Sequence, residues 1–436
     1  MKLLTTAPKG TKDVLPADSP RWHYIERTVL EIAERYGFFE VRTPTFEHTE
    51  LFNRAVGDTT DVVQKEMYTF TDKGGRSITL RPEGTSGAIR ALAENGVLAG
   101  QLPVKASYVM SCFRYEKPQA GRLREFHQFG VESVGSPSPA ADAEVIALGS
   151  RVLEELGVNK VRLFLNSIGC RECRPAYHEK LRAYFASHES ELCETCRGRL
   201  TTNPLRILDC KNPECKALAE KAPKMIDRLC PDCRAHFDGV TARLDAMGIR
   251  WELDPDIVRG LDYYCRTVFE FVTETIGAQG TVCGGGRYDG LVEEIGGPAL
   301  PGIGFGMGLE RLQLVMEASG AEVPPAQPCE IFLVPMGQAA SVRAGTLVEQ
   351  LRREGIRADA DTMGRSLKAQ MRCADKLGAL FTMVLGDDEL AQGTAKIKDM
   401  KTGEQVSISL DRFVETAEKL LLDRQLADTA DAAAKL

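Results

Sequence analysis

No stretch of about 18 consecutive apolar residues occurs in the chain, which excludes a membrane-spanning helix of the ordinary kind. The opening MKLLTTAPKGTKD carries no apolar core like that of a secretory signal, so a cytoplasmic chain is expected. Surplus positive charge is also missing: 55 Lys and Arg stand against 62 Asp and Glu, a net charge of -7. That balance argues against a general nucleic-acid coat and confines any RNA contact to local basic patches. Two phosphate-binding signatures are absent as well. Cys283-Gly284-Gly285-Gly286-Arg287-Tyr288-Asp289-Gly290 is followed by no Lys-Ser or Lys-Thr, so it is not a P-loop, and the period-two glycines of 302–308 do not give GxGxxG.

What remains is a chain of 436 residues, 43% hydrophobic and 27% charged, the composition of a soluble globular protein. That length exceeds what one core sustains, so two or three domains are expected. Thirteen cysteines in a reducing compartment should be thiols or metal ligands rather than disulfides.

The segment SCFRYEKPQAGRLREFHQFGVE, Ser111 to Glu132, reads as strand, loop, strand from its alternation on either side of Pro118 to Gly121. Paired strands would carry Arg114, Gln128 and Glu132 on sheet faces. The loop from Lys117 to Arg124 holds three cations and no acid, so its local potential favours a polyanion although the whole chain is acidic. A solvated hairpin with surface charges is the plain alternative. Phe113-Arg114-Tyr115-Glu116, Gly121-Arg122 and Phe126-His127-Gln128 resemble motif 2 of class II aminoacyl-tRNA synthetases, in the form found in histidyl-tRNA synthetases.

Other stretches carry the same resemblance in family order. The helix opened by Asp18-Ser19-Pro20, the strand-like Phe38 to Arg42 and Pro44 are similar to motif 1, which lies at a dimer interface in that family. Arg81-Pro82-Glu83-Gly84-Thr85 resembles the segment that holds the substrate amino group, with helix capping by Thr85 as the competing explanation. Arg259-Gly260-Leu261-Asp262-Tyr263-Tyr264 and the run at 283–290 look like the two signatures special to the histidine enzymes, although the second could equally be a tight turn between strands. Gly302-Ile303-Gly304-Phe305-Gly306-Met307-Gly308-Leu309-Glu310-Arg311 has glycine at strict period two. As a strand it would clear one face for a flat ring while Ile303, Phe305 and Met307 fill the other, and Arg311 would lie near a positive helix end. It resembles motif 3, and a glycine strand needed only for close packing is the alternative.

Between Gly169 and Phe237 lie Cys170-x2-Cys173, Cys193-x2-Cys196, Cys210-x4-Cys215 and Cys230-x2-Cys233. Paired thiolates at these spacings permit two zinc sites of four thiolates each. Against this, the insertion of the family it resembles is largely helical and does not generally need a metal.

The resemblance implies an α+β catalytic domain built on an antiparallel sheet, with a helical insertion and a C-terminal α/β domain similar to an anticodon-binding domain. The expected boundaries are 1–168 and 241–323 for the catalytic domain, 169–240 for the cysteine-rich insertion, 324–329 for a linker, 330–424 for the C-terminal domain and 425–436 for a frayed tail. In that C-terminal domain, strand and helix alternate through Leu385, which predicts a mainly parallel sheet.

The implied function is ATP-dependent ligation of L-histidine to its tRNA through a histidyl-adenylate, by a homodimer that takes ATP with Mg2+. Carried over residue by residue, Arg259 and Arg114 flank the α-phosphate, Arg311 meets the γ-phosphate, and Arg122 belongs to the ATP site. Glu83, Gly84, Thr85 and Gln128 would hold the amino group. Glu132, Tyr263 and Tyr264 would line the imidazole pocket, and Gln119 would meet the tRNA acceptor end. Two other readings stay open at this point: a regulatory paralogue that binds histidine without charging tRNA, and a zinc- or redox-responsive RNA-binding protein built on the cysteine-rich segment.

Overall fold

The alternation read between Ser111 and Glu132 does produce two paired strands, and they are the centre of the larger sheet. The computed structural model describes residues 3–57, 60–208, 210, 212–257, 261–275, 280–324 and 329–433. It divides into two units, Met1–Pro324 and Pro325–Leu436. The strands of the first are β1 (Phe39–Glu40), β2 (Phe46–His48), β3 (Tyr68–Thr71), β4 (Ser77–Leu80), β5 (Val104–Phe113), β6 (Glu125–Val134), β7 (Arg162–Ser167), β8 (Glu252–Leu253), β9 (Cys265–Val272), β10 (Thr281–Arg287) and β11 (Gly302–Gly308). Eight of them form one sheet in the order β1-β5-β6-β11-β10-β9-β7-β8, antiparallel except at its edges, where β1 joins β5 and β8 joins β7 in parallel. A separate three-stranded sheet has the order β2-β4-β3.

Period-two alternation sorts the side chains of the large sheet. Phe129 and Val131 of β6, Ile303, Phe305 and Met307 of β11, and Phe269 and Phe271 of β9 enter the main core. Helix Ser19–Arg35 supplies Ile25, Val29 and Ile32 to that core, helix Pro139–Glu155 supplies Val145, Leu148 and Val152, and helix Leu309–Ser319 supplies Leu312, Val315 and Met316. Each large apolar side chain so buried contributes about 1.5–3 kcal/mol against the entropy of ordering the chain. The opposite face bears the polar groups described below. Of the run at 283–290, Cys283 to Arg287 lie in β10 and Asp289-Gly290 form a turn after it, so both readings of that run hold in part.

In the cysteine-rich segment, helices Cys173–Ala186, Glu194–Thr202 and Pro213–Lys221 gather around a core of their own that contains Tyr177, Leu181, Phe185 and four buried cysteines. Helix Pro231–Ala246 starts in this segment but sends Phe237, Val240 and Leu244 into the main core, so the expected boundary at 240 falls inside a helix.

The second unit has β12 (Ile331–Pro335), β13 (Ala358–Ala360), β14 (Phe381–Leu385), β15 (Thr394–Asp399) and β16 (Gln405–Ser409) in the order β13-β12-β14-β15-β16. The first three run parallel as expected, whereas the hairpin β15-β16 adds an antiparallel edge. The residues expected as a frayed tail continue helix Phe413–Ala433, because Phe413, Ala417 and Leu421 dock that helix on the sheet and an Ala-rich stretch propagates it at little cost. The expected linker lies largely outside the described residues.

Candidate active site

Register places the glycines of three strands side by side. Gly130 of β6 pairs with Gly306 of β11, which pairs with Gly284 of β10. Directly opposed residues of an antiparallel ladder share a face, so these three make a row without side chains. The next row holds Glu132, Gly304 and Gly286. Only part of the cleared surface is bare. A methyl on Gly304 would collide with Oε2 of Glu132, and one on Gly306 with Nε2 of Gln128. One on Gly302 would strike the Tyr288 ring, whereas nothing lies within 4 Å of the corresponding position at Gly308. Thus the uniformly empty glycine face expected for a ring is corrected: close packing and an open floor coexist on one strand.

The open end is a cavity of about 270 Å³ floored by Gly284, Gly306 and Gly308 and lined by Arg114, Arg122 and Arg311, with Gln128 and Glu310 at its side. Arg114 follows β5 directly and is held by its Nε, which donates to the Pro82 carbonyl at 2.8 Å, while its guanidinium lies 5.5 Å from the Phe126 ring centre. Arg122 is brought in by a two-residue turn in which Gln119 and Arg122 exchange backbone hydrogen bonds, both 3.0 Å, across Ala120 and Gly121. Gly121 has φ +68°, which favours a residue without a β-carbon. Arg122 also meets the buried Glu116 carboxylate. Arg311, in the first turn of helix Leu309–Ser319, donates to the Thr281 carbonyl at 2.5 Å. Burial lowers the Arg311 pKa from its ordinary value and the Arg122 guanidinium lowers it further; Glu270 opposes this and Arg114 adds to it. These guanidinium groups are therefore near enough to repel one another, and a polyanion among them relieves that repulsion.

Behind the cavity is a closed polar cluster. Glu132 is 0% exposed, and its carboxyl receives the hydroxyls of Tyr108, at 3.0 Å, and of Tyr288. Burial pushes this carboxyl up to about 8, although the tyrosine hydrogen bonds act in the opposite sense. Tyr263 and Tyr264 are buried beside it with ring centres 4.5 Å apart, and Tyr263 stands 5.7 Å from Tyr288. Glu83 accepts from the backbone N–H groups of Thr85, at 2.7 Å, and Ser86, at 3.0 Å. Glu83, not Thr85, therefore caps helix Thr85–Glu94; the Thr85 hydroxyl is 3.4 Å from that of Tyr108. Gly84 donates its N–H to Oε1 of Gln128 at 2.9 Å, which links this cluster to the open cavity. A methyl on Gly84 or on Gly130 would run into the Tyr108 ring.

Arg259 and Gly260 lie outside the described residues. Gln119 lies on the rim, in a second cavity of about 290 Å³ shared with Lys12, Trp22, His127 and Glu310. There the His127 Nδ1 lies 2.8 Å from Glu310, whose hydrogen bond raises the imidazole pKa above its ordinary value against the effect of burial.

Sequence reasoning missed four groups. Tyr108 is legible only through Gly130 directly across the ladder, since a bare residue opposite a large one marks a ring lying over backbone. Tyr288 stands in the quoted glycine signature but was given no role there. Arg287 and Asp142 form a fully buried ion pair, with Nε 3.1 Å from Oδ2 and His236 Nε2 3.0 Å from Oδ1. Burial would raise the Asp142 carboxyl, but the His236 hydrogen bond and the Arg287 charge outweigh it and hold it below its ordinary value.

The eight cysteines of the insertion fall into two groups of four, Cys170, Cys173, Cys230 and Cys233, and Cys193, Cys196, Cys210 and Cys215.

The family profile described as histidyl-tRNA synthetase matches residues 10–312, and that of the anticodon binding domain matches residues 330–420. The histidine–tRNA ligase of Acetivibrio thermocellus is 54% identical over 412 residues, covering 94% of this chain and 99% of its own length. That of Caldanaerobacter subterraneus is 52% identical over 411 residues, with 94% and 99% covered. The crystal structure of the apo S. aureus histidyl-tRNA synthetase superposes with a TM-score of 0.82 at 40% identity, covering 95% of this chain and 99% of that one. Since the match runs through both units and spans nearly the full length of these relatives, the chain belongs to the histidyl-tRNA synthetase family.

Proposed function

We propose that the open cavity holds the triphosphate of ATP and the closed cluster behind it holds the histidine side chain. The chain ligates L-histidine to tRNA, and the observation that carries this division of the site is the convergence of Arg114, Arg122 and Arg311 over a floor of glycine. In the first step the histidine carboxylate attacks the α-phosphorus, pyrophosphate leaves, and histidyl-adenylate forms. A terminal ribose hydroxyl of the tRNA then displaces AMP. No side chain acts as a covalent nucleophile, so catalysis rests on positioning and on neutralising charge. Arg114, with Arg259, takes the α-phosphate. Arg311 takes the γ-phosphate and Arg122 supports the pyrophosphate; Glu310, whose carboxylate also accepts from the His127 N–H, would offer oxygen to the Mg2+ that accompanies the nucleotide.

The ammonium group meets Glu83, the Thr85 hydroxyl and Gln128 Oε1, which already accepts from the Gly84 N–H and, weakly at 3.6 Å, from the Cys112 thiol. Glu132 accepts from the imidazole, and Tyr263 and Tyr264 wall the ring. Gln119 meets the acceptor end of the tRNA from the rim. Identity above half to histidine–tRNA ligases over nearly the whole chain leaves the non-charging paralogue without support.

Three further parts belong to this reading. Phe46 and Phe70 are 55% and 48% exposed on the three-stranded sheet and Phe39 is 67% exposed on β1 of the larger one, apolar side chains that a second copy of the chain would cover. No helix among the described residues is long and apolar enough to cross a membrane; the cytoplasm, where tRNA is charged, is the compartment that goes with this reading. The eight insertion cysteines hold zinc, which their two groups of four thiols fit.

The test is ATP–pyrophosphate exchange across the twenty amino acids, with histidine alone expected to support it. Exchange with another amino acid, or none with histidine, would refute the assignment. Arg259→Ala is expected to abolish exchange while leaving the dimer intact, and wild-type rates in that variant would remove its role.

A further inference from the structure

The two cysteine tetrads are nested in the chain: the outer one joins the first and last pairs, and the inner one joins the two pairs between them. Within each, all four sulfurs lie within 4.8 Å of one another. Cys170 is 3.6 Å from Cys173 and 3.9 Å from Cys230, and Cys193 is 3.8 Å from Cys210. A disulfide needs about 2.05 Å, whereas Zn–S bonds of about 2.3 Å give a tetrahedron with edges of about 3.8 Å. The surroundings suit thiolate. Cys173 opens helix Cys173–Ala186, Cys230 precedes helix Pro231–Ala246, Cys193 precedes helix Glu194–Thr202, and Cys215 lies in the first turn of helix Pro213–Lys221. Backbone N–H groups of Cys230 and Cys193 donate to the sulfurs of Cys173 and Cys215, both at 3.2 Å.

The outer tetrad closes the root of the insertion, 60 residues apart in sequence from Cys170 to Cys230. The same root is bonded to the segment that carries Tyr263 and Tyr264. Arg266 donates its N–H to the Gly169 carbonyl and accepts from the Ile168 N–H, both at 2.8 Å. Its φ of +50° makes it the one non-glycine residue with positive φ among the described residues. Arg174, next to Cys173, donates to the Tyr264 carbonyl and, at 3.3 Å, to that of Ile168. A cavity of about 320 Å³ spans this junction, with Cys170, Cys230, Arg174, Tyr263 and Arg266 among its walls.

Resting on the zinc and histidine-pocket readings above, the geometry points to two zinc sites with separate duties. The outer site is a clasp that sets the Tyr263–Tyr264 wall of the histidine pocket through Arg174 and Arg266, and the inner site only holds the core of the insertion. Arg174 is then a positioning residue for histidine binding, not a catalytic one.

The test uses the full chain purified under reductant. Metal analysis is expected to find two zinc ions per chain, one for each tetrad, and one in Cys230→Ser or Cys210→Ser. Cobalt in place of zinc should give thiolate charge-transfer absorption that halves in each variant. In pyrophosphate exchange, Cys230→Ser should raise KM for histidine about tenfold or more, with KM for ATP kept within about twofold. Cys210→Ser should leave both constants in place and lower the unfolding midpoint. Because Cys230→Ser could fail to fold, Arg174→Gln serves as a second variant that keeps both tetrads, with the same selective rise in KM expected at full zinc content. Less than one zinc per chain in the wild type overturns the metal assignment. Full zinc with a wild-type KM for histidine in Arg174→Gln overturns the clasp. If the wild type holds two zinc ions but no amino acid supports exchange, the histidine-pocket reading fails, and with it the duty given to the clasp.

Discussion

Replacing Glu132 by Gln is expected to stabilise the protein at neutral pH while weakening its activation of histidine. The Glu132 carboxyl is fully buried and pushed up to about 8 from an ordinary 4.5, so between those values the unfolded chain has released a proton that the folded chain keeps. Stability therefore falls as pH rises through that window, by about 1.4 kcal/mol per unit where the difference is complete. Between about pH 5 and about pH 7 the loss amounts to about 2.5 kcal/mol. Gln is the isostere of the protonated carboxyl and does not titrate, so the variant escapes this loss. The assay is urea unfolding of wild type and Glu132→Gln at both pH values, read as the change in their difference, which cancels every other titrating group. Equal pH slopes would show that Glu132 is ionised in the folded protein without histidine and would refute the argument. Histidine-dependent pyrophosphate exchange should fall in the same variant, because a buried amide in place of the acceptor leaves the imidazole N–H with a poorer partner.

Gly304→Ala should destabilise the fold by about 1–3 kcal/mol, since its methyl would press on Glu132 and on the Val131 carbonyl. Gly308→Ala should keep thermal stability within about 0.5 kcal/mol yet raise KM for ATP, because that position is open and borders the cavity. Arg311→Gln should lower kcat/KM for exchange by about 10²–10³-fold, and an unchanged value would exclude Arg311 from the triphosphate site. Asp142→Asn removes the fully buried one of the two carboxylates that face Arg287, leaving Asp289 at 3.1 Å, and should cost about 3 kcal/mol by thermal or denaturant unfolding.

Local pattern accounts for what was legible. The alternation around Ser111–Glu132, the stripe Ile25, Val29 and Ile32, and the glycine period of 302–308 each report a face within one element, and each was found on that face. Groups that act across elements were not legible. Tyr108 and Tyr288 reach Glu132 from 24 and 156 residues away, and Arg287 reaches Asp142 from 145 residues away, at a register that only the assembled sheet sets. The cysteine spacings permitted two tetrads but could not select the nested pairing, because four pairs can join in several ways. The hairpin β15-β16 and the last turns of helix Phe413–Ala433 escaped for a different reason. Their sequences are polar or Ala-rich: Ile408 docks the hairpin in the core, and the exposed last turns continue a helix anchored by Phe413, Ala417 and Leu421, with Asp428 bonded to Lys401 and Arg424 to Asp399.

One face of the pair β6-β11 thus serves two opposed requirements. On the proposed assignment, a triphosphate needs strong cations and room, which Arg114, Arg311 and the open position at Gly308 would supply at one end of the pair. An imidazole needs a dry acceptor, which on the same assignment Glu132 would supply at the other end, over Gly304 and beneath Tyr288. Burial penalises that carboxylate when it stands alone, and an imidazole N–H returns part of the penalty only to a ligand that carries a donor in the right place. Because the hydroxyls of Tyr108 and Tyr288 already bond that carboxyl, a ligand lacking the donor forgoes one further hydrogen bond, worth about 1–3 kcal/mol. The raised pKa of Glu132 and the selection of histidine are in this way two consequences of the same desolvation, so a substitution that relaxes the first should weaken the second.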